Sequence, residues 1–129
     1  MKAILDASFL ISAIQARKDP LQAVHALCDD YPQMVVPQSV IAELKSLAAS
    51  RTKAAVGARL ALQVLEKNAS KIEIEKTNAT KADDAIAEIA ENLRGKGINV
   101  LVCTNDLKLR KKVRETARVT CVGKDGKIS

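Results

Sequence analysis

Short apolar runs alternate with amphipathic stretches along the whole chain. Ala3-Ile4-Leu5, Met34-Val35-Val36 and Val100-Leu101-Val102-Cys103 are continuous apolar runs, the pattern of buried strands. Ile72 and Ile74 alternate with polar residues and predict a further strand, and Val119 to Val122 predict the last. Between these runs the apolar period becomes helical. Phe9, Leu10, Ile11 and Ile14 begin one helix. Leu21, Val24, Leu27 and Cys28 form a second, opened by Pro20 and ended by Asp29-Asp30-Tyr31-Pro32. Pro37 starts a third, with Val40, Ile41, Leu44, Leu47 and Ala48 on one side, and Ser50-Arg51-Thr52 breaks it. Val56, Leu60, Leu62, Val64 and Leu65 predict a fourth. Thr80 to Leu93 predicts a fifth, stopped at Gly95-Lys96-Gly97. Asp106 to Thr116 predicts a short basic helix, and the tail reads as polar.

Strands alternating with helices argue for one α/β domain over residues 1–129, with a parallel sheet. A chain of 129 residues can bury a real core. Aromatics make up 2%, Phe9 and Tyr31, so that core must be aliphatic. The same scarcity counts against RNA modules that stack bases on exposed rings. The net charge of +6 favours polyanionic partners, although charge alone is a weak pointer. Cys28, Cys103 and Cys121 form no CxxC pair and are odd in number, which fits a reducing, cytoplasmic setting and no zinc site. Asp6 interrupts the first apolar run, which argues against a signal peptide, and no stretch is long enough to span a bilayer.

Acidic residues stand where strands end. Parallel α/β sheets bind ligands beyond the carboxyl ends of their strands, at the point where the strand order reverses. Asp6 follows the first strand, and Asp106 follows the fourth in the stretch CTND. Each has a plainer explanation as a helix N-cap. Glu43, in VPQSVIAELKSL, borders the apolar stripe of the third helix. Asp83 and Asp84, in TKADDAIAEIAENL, open the fifth helix, where Thr80 to Asp83 also resembles a capping box. The two point about 100° apart, so only one can face a shared site squarely. Asp83 has the better orientation, and Asp84 supports. Unit charges about 4 Å apart repel by roughly 4 kcal/mol at an effective dielectric near 20. Four converging carboxylates therefore require a cation or raised pKa values. A set of oxygen donors without His or Cys suits Mg²⁺ or Mn²⁺. His25, the lone histidine, reads as a helix-surface residue.

At these residues the sequence resembles the PIN-domain ribonucleases, over nearly its whole length. ILDASFLI is similar to the family's strand-Asp opening, and VPQSVIAEL to its Glu-bearing helix. ADDAIAEIA is similar to its Asp-x-x-Ile-Ala helix start, and LVCTNDLKL to its strand-Thr-x-Asp segment. The resemblance implies a three-layer α/β/α fold with strand order 3-2-1-4-5. It also implies an acidic, metal-binding and catalytic quartet of Asp6, Glu43, Asp83 and Asp106. Ser8, Thr104, Asn105 and Asp84 would support the quartet. Ala7 departs from the family, standing where a hydroxyl is common. The implied activity is endonucleolytic hydrolysis of RNA with Mg²⁺ or Mn²⁺, leaving 5′-phosphate and 3′-hydroxyl ends. Lys108, Arg110, Lys111, Lys112 and Arg114 would hold RNA phosphates, with Arg118, Arg51 and Lys53 as weaker helpers; a solvated charge run is the plain alternative. The ADD pair and the basic helix look most like the PIN nucleases of ribosomal RNA processing.

Three rivals stay open. One is a toxin ribonuclease held by an antitoxin. Another is a non-catalytic RNA-binding or ribosome-assembly module. The third, well below these, is a receiver or nucleotide-binding α/β domain, disfavoured because DASFLI carries no glycine loop. Pairing of two copies is a further partner expectation, drawn from the family.

Overall fold

A computed structural model describes residues 1–28 and 31–129; Asp29 and Asp30, in the predicted break after the second helix, lie outside the described residues. Five strands form one parallel sheet: β1 (Lys2–Leu5), β2 (Gln33–Pro37), β3 (Ile72–Glu75), β4 (Val100–Cys103) and β5 (Arg118–Thr120). Their order is β3-β2-β1-β4-β5. Six helices connect them: α1 (Ala7–Gln15), α2 (Pro20–Leu27), α3 (Gln38–Ala48), α4 (Ala54–Lys67), α5 (Ala82–Gly95) and α6 (Leu107–Val113). This is the implied α/β/α architecture with its implied strand order.

The topology decides where the helices lie. From β1 through β2 to β3 the chain steps one way across the sheet; from β3 to β4 to β5 it steps back. Right-handed crossovers therefore place α1 to α4 on one face and α5 and α6 on the other. The packing agrees, since α1, α3 and α4 touch one another and α5 touches α6. Covered on both faces, Ala3, Ile4 and Leu5 of β1 and all of β4 are buried. The order reverses between β1 and β4, so their carboxyl ends flank a crevice.

Several local expectations are corrected. The fifth helix begins at Ala82 rather than Thr80, and no side chain caps it, so the capping box does not form. In α4 the predicted apolar stripe holds only in part: Leu65 is buried as expected, but Val56 and Leu60 are 57% and 42% exposed, while Ala55, Gly57, Ala58 and Ala61 are buried. Close approach to α1 explains it. A Cβ on Gly57 would stand 3.0 Å from Cγ2 of Ile11, so the small-residue side must face inward. The basic helix is shorter than its charge run, ending at Val113, and the last strand ends at Thr120. Cys121 follows that strand and is only half-buried. The tail is a hairpin: the Gly123 N–H donates to Lys127 O at 2.7 Å, and Cys121 and Ser129 exchange backbone bonds at 3.0 and 3.1 Å. The stop after α5 forms as expected, with Gly97 at φ 76° and Ile98 N–H closing on Leu93 O. Among the described residues no helix is long and apolar enough to cross a membrane.

Candidate active site

Asp6 occupies the N-cap position of α1 but does not cap it. Its Oδ2 instead accepts the hydroxyl protons of Ser8, at 2.7 Å, and Thr104, at 2.6 Å. Thr104 reaches Asp6 because β1 and β4 are neighbours, with Leu5 opposite Cys103 and Asp6 N–H donating to Cys103 O at 3.0 Å. The two hydroxyl oxygens also accept. Ser8 Oγ takes the Asn105 N–H and Thr104 Oγ1 takes the Asp106 N–H, each at 3.0 Å. Both hydroxyl protons thus serve Asp6, and the 3.2 Å between the hydroxyls is a contact of acceptors.

Asp106 does cap its helix: Oδ1 accepts from Lys108 N–H at 2.9 Å and Leu109 N–H at 3.4 Å. Asp83 turns one oxygen to the Asp84 N–H, at 3.0 Å. Among the described residues the remaining oxygens of Asp6, Asp83 and Asp106 accept no hydrogen bond. Each carboxylate is tethered by one oxygen and leaves the other available.

These three and Glu43 line one open cavity of about 580 Å³, together with Ser8, Ser39 and Lys81. Burial raises the pKa of Glu43 first, and then the charges of Asp6, Asp106 and Asp83 raise it further. The side chain is nonetheless largely exposed, so water screens much of that repulsion. Among the described residues no three His, Cys or acidic groups stand close enough to grip an ion as placed. The donor set, all oxygen and mutually repelling, still fits a hard divalent cation. A second sign is Ser39 Oγ, which is buried and has no hydrogen-bond partner among the described residues. Ser39 lies four residues before Glu43, one turn away on the same face of α3. That spacing was the available signal for it, but a serine in a helix's first turn draws no notice in sequence.

Glu43 gives a pH test. Its folded pKa is raised, so the native state keeps a proton that the unfolded chain releases above the ordinary carboxylate value of 4.5. Metal-free stability is therefore expected to fall as pH rises from that value through the raised folded value. Urea unfolding with a chelator, from about pH 4 to about pH 7, should show this decline weakened in Glu43→Gln. An unchanged slope would mean that neither burial nor the neighbouring charges hold the Glu43 proton in the folded state.

The other expected residues are placed differently. Asp84 points away from the cavity and pairs with Lys112, whose hydrogen bond and charge lower its pKa. Asn105 presents only its backbone to Ser8; its side chain clasps the tail, accepting Val122 N–H at 2.9 Å and donating to Val122 O at 2.8 Å. Lys108 and Lys111 are exposed and make no ion pair among the described residues, and Arg110 donates to Cys121 Sγ. Arg114 lines a separate cavity at the other end of the sheet, with Arg118. None of these basic residues, nor Arg51 or Lys53, lines the carboxylate cavity; the lysine there is Lys81. His25 meets Tyr31 edge-on at 5.1 Å.

Fold and cleft together define an α/β domain with an acidic site where its strand order reverses. A family model described as a PIN like domain matches residues 3–123, and the chain belongs to that family, whose members are generally nucleases. Solved structures share the fold. The PIN domain endonuclease Utp24 is 22% identical, with a TM-score of 0.76 over 98% of this chain and 88% of that one. A domain of a functionally unknown protein from Methanocaldococcus jannaschii is 14% identical, with a TM-score of 0.58 over 95% and 91%. VapBC-1 from nontypeable Haemophilus influenzae is 13% identical, with a TM-score of 0.53 over 94% and 98%. A search of curated proteins finds no match.

Proposed function

We propose that this protein is a divalent-metal-dependent endoribonuclease acting in ribosomal RNA processing. The observation that carries the reading is the set of tethered carboxylates on one cavity, each of Asp6, Asp83 and Asp106 offering an oxygen the protein does not use. With Glu43 they would hold Mg²⁺ or Mn²⁺. When bound, such an ion acidifies its water enough to supply hydroxide near neutral pH and steadies charge on the leaving oxygen. The chain's own residues do the positioning. Ser8 and Thr104 fix Asp6, the α6 amides fix Asp106, and Lys81 at the cavity offers a positive charge to an incoming phosphate. The expected products carry 5′-phosphates and 3′-hydroxyls.

The ribosomal reading is favoured over the toxin reading by the ADD pair and the basic α6. The greater likeness to the Utp24 endonuclease than to VapBC-1, TM-scores of 0.76 and 0.53, supports it. The site would be the same in either case. The deciding test is incubation of the purified protein with single-stranded RNA in Mg²⁺, in Mn²⁺ and in chelator. Cleavage confined to the metal-containing reactions, with 5′-phosphate products, is expected. RNA that is bound but uncut in both metals would make the protein a non-catalytic module. Growth arrest on expression, relieved by a small partner protein, would move the assignment to a toxin.

A further inference from the structure

The sheet has a second cavity at the opposite end. It has a volume of about 660 Å³ and is lined by Met1, by Val100 at the start of β4, by Arg118 at the start of β5, and by Arg94, Arg114 and Glu115. The three arginines are exposed and form no ion pair among the described residues. Arg94 is held in place: one guanidinium nitrogen donates to Glu115 O at 3.1 Å and Thr116 O at 3.3 Å. Among the described residues Glu115 is the one carboxylate in the lining, against three guanidinium groups. Arginine offers planar, multiple N–H donors suited to phosphate oxygens.

α6 joins this cavity to the carboxylate cleft. Its first turn is capped by Asp106, in the cleft, and Arg114 sits at its C-cap with helical backbone angles, φ −63° and ψ −24°. Lys108, Lys111 and Arg114 follow one another at three-residue spacing, so they form an inclined row along the helix surface. All three are exposed and free of ion pairs among the described residues, whereas Lys112 is occupied by Asp84. A row of unneutralised cations thus runs from the acidic cleft to the arginine cavity.

We propose that the arginine cavity is a phosphate-binding exosite for the RNA strand whose scissile bond lies in the carboxylate cleft, with Lys108 and Lys111 as the track between them. The proposal rests on the nuclease reading for its ligand. Asp106 and Arg114 are eight residues apart, about 12 Å at the helical rise. A stacked strand rising about 3.4 Å per nucleotide covers that in about four nucleotides. An RNA shorter than that can fill the cleft but cannot reach the exosite.

The test compares single-stranded RNAs of about three and about twelve nucleotides, on the two sides of that span. The proteins are the wild type, Arg114→Ala/Arg118→Ala, and Lys124→Ala/Lys127→Ala, which removes the same charge from the tail hairpin. Binding is measured in Ca²⁺, a hard cation that the carboxylates can hold, under conditions where no cleavage is seen, so that the short RNA meets a neutralised cleft. The arginine variant is expected to bind the longer RNA at least about tenfold more weakly, and its salt slope should fall by about 1.4, two single-strand phosphate contacts. Its affinity for the short RNA should be unchanged, and the lysine control should behave as wild type. If metal-dependent cleavage occurs, KM for the long RNA rises while kcat holds, because the arginines lie far from the reacting phosphate. Equal losses for both lengths, no loss for either, or the same loss in the lysine control would overturn the exosite. If no RNA is cut at all, the nuclease reading falls, and the binding comparison still decides the exosite. Arg118→Gln, a milder change at an exposed position, gives the same comparison at one contact should the double variant fold poorly.

Discussion

Asp6→Asn is expected to lower metal-dependent RNA cleavage by at least about 100-fold while leaving the fold intact. Changing a hydrogen-bond partner of a metal ligand alone typically costs 10–100-fold, so loss of a ligand should cost no less. The hydrogen bonds set the direction of the damage. Ser8 and Thr104 both donate to Oδ2, so an asparagine must put its carbonyl oxygen there. Its NH₂ group then takes the place of the unpartnered Oδ1, and a donor replaces an anion where a cation would be held. The local hydrogen bonds survive, and the charge that acts on Glu43 disappears. Circular dichroism and thermal unfolding in chelator should match the wild type, while cleavage assays show the loss. Cleavage at the wild-type rate would remove Asp6 from the site and trace the activity elsewhere.

Thr104→Val should harm both stability and activity. The shapes match, but the hydroxyl is gone from a residue with no exposed surface. Asp6, itself only 6% exposed, loses one of two side-chain donors, and the Asp106 N–H loses its acceptor. Leaving a buried polar group short of a partner costs about 1–3 kcal/mol; Asp6 Oδ2 keeps the Ser8 donor and Asp106 is exposed, so a loss of about 1–3 kcal/mol is expected in urea unfolding. Cleavage should fall by about 10–100-fold, because Asp6 and Asp106 lose their common support. Thr104→Ser keeps the hydroxyl and should recover most of both, which separates the hydrogen bonds from the methyl packing. A Val variant as stable as the wild type would show that the hydroxyl carries little of this load.

Much of this fold is legible as pattern. The apolar runs of β1, β2 and β4 and the glycine stop after α5 appear where the sequence puts them. Strand order is another matter: periodicity says that a parallel sheet exists, and only the family resemblance supplied 3-2-1-4-5. The site shows the same division. Asp6 and Asp106 look alike in sequence, each an acid between a strand and a helix. Asp106 caps and Asp6 does not, because Asp6 is claimed by Thr104, 98 residues away. No local rule contains that partner. The stripe of α4 is misplaced in part for a related reason, since helical spacing ranks large side chains first and close packing on α1 selected small ones. The tail hairpin escaped because its few apolar residues, Val122 and Ile128, meet across a turn and make no continuous run. Nearness in sequence groups Arg114 with Lys108, yet a two-turn helix carries it to the opposite end of the sheet.

The Asp6–Thr104 bond also bears on how the two central strands find their alignment. β1 and β4 are apolar on both faces, so a slip of one residue along their shared ladder would exchange one buried hydrocarbon for another at little expense. What such a slip cannot preserve is an acid matched to its hydroxyl donor in a dry place. The misaligned sheet would strand a carboxylate among hydrocarbon, and that mismatch marks the correct pairing more sharply than the greasy runs themselves. The chemistry of the cleft thus serves the chain before any substrate arrives, as the index mark by which its middle strands are set.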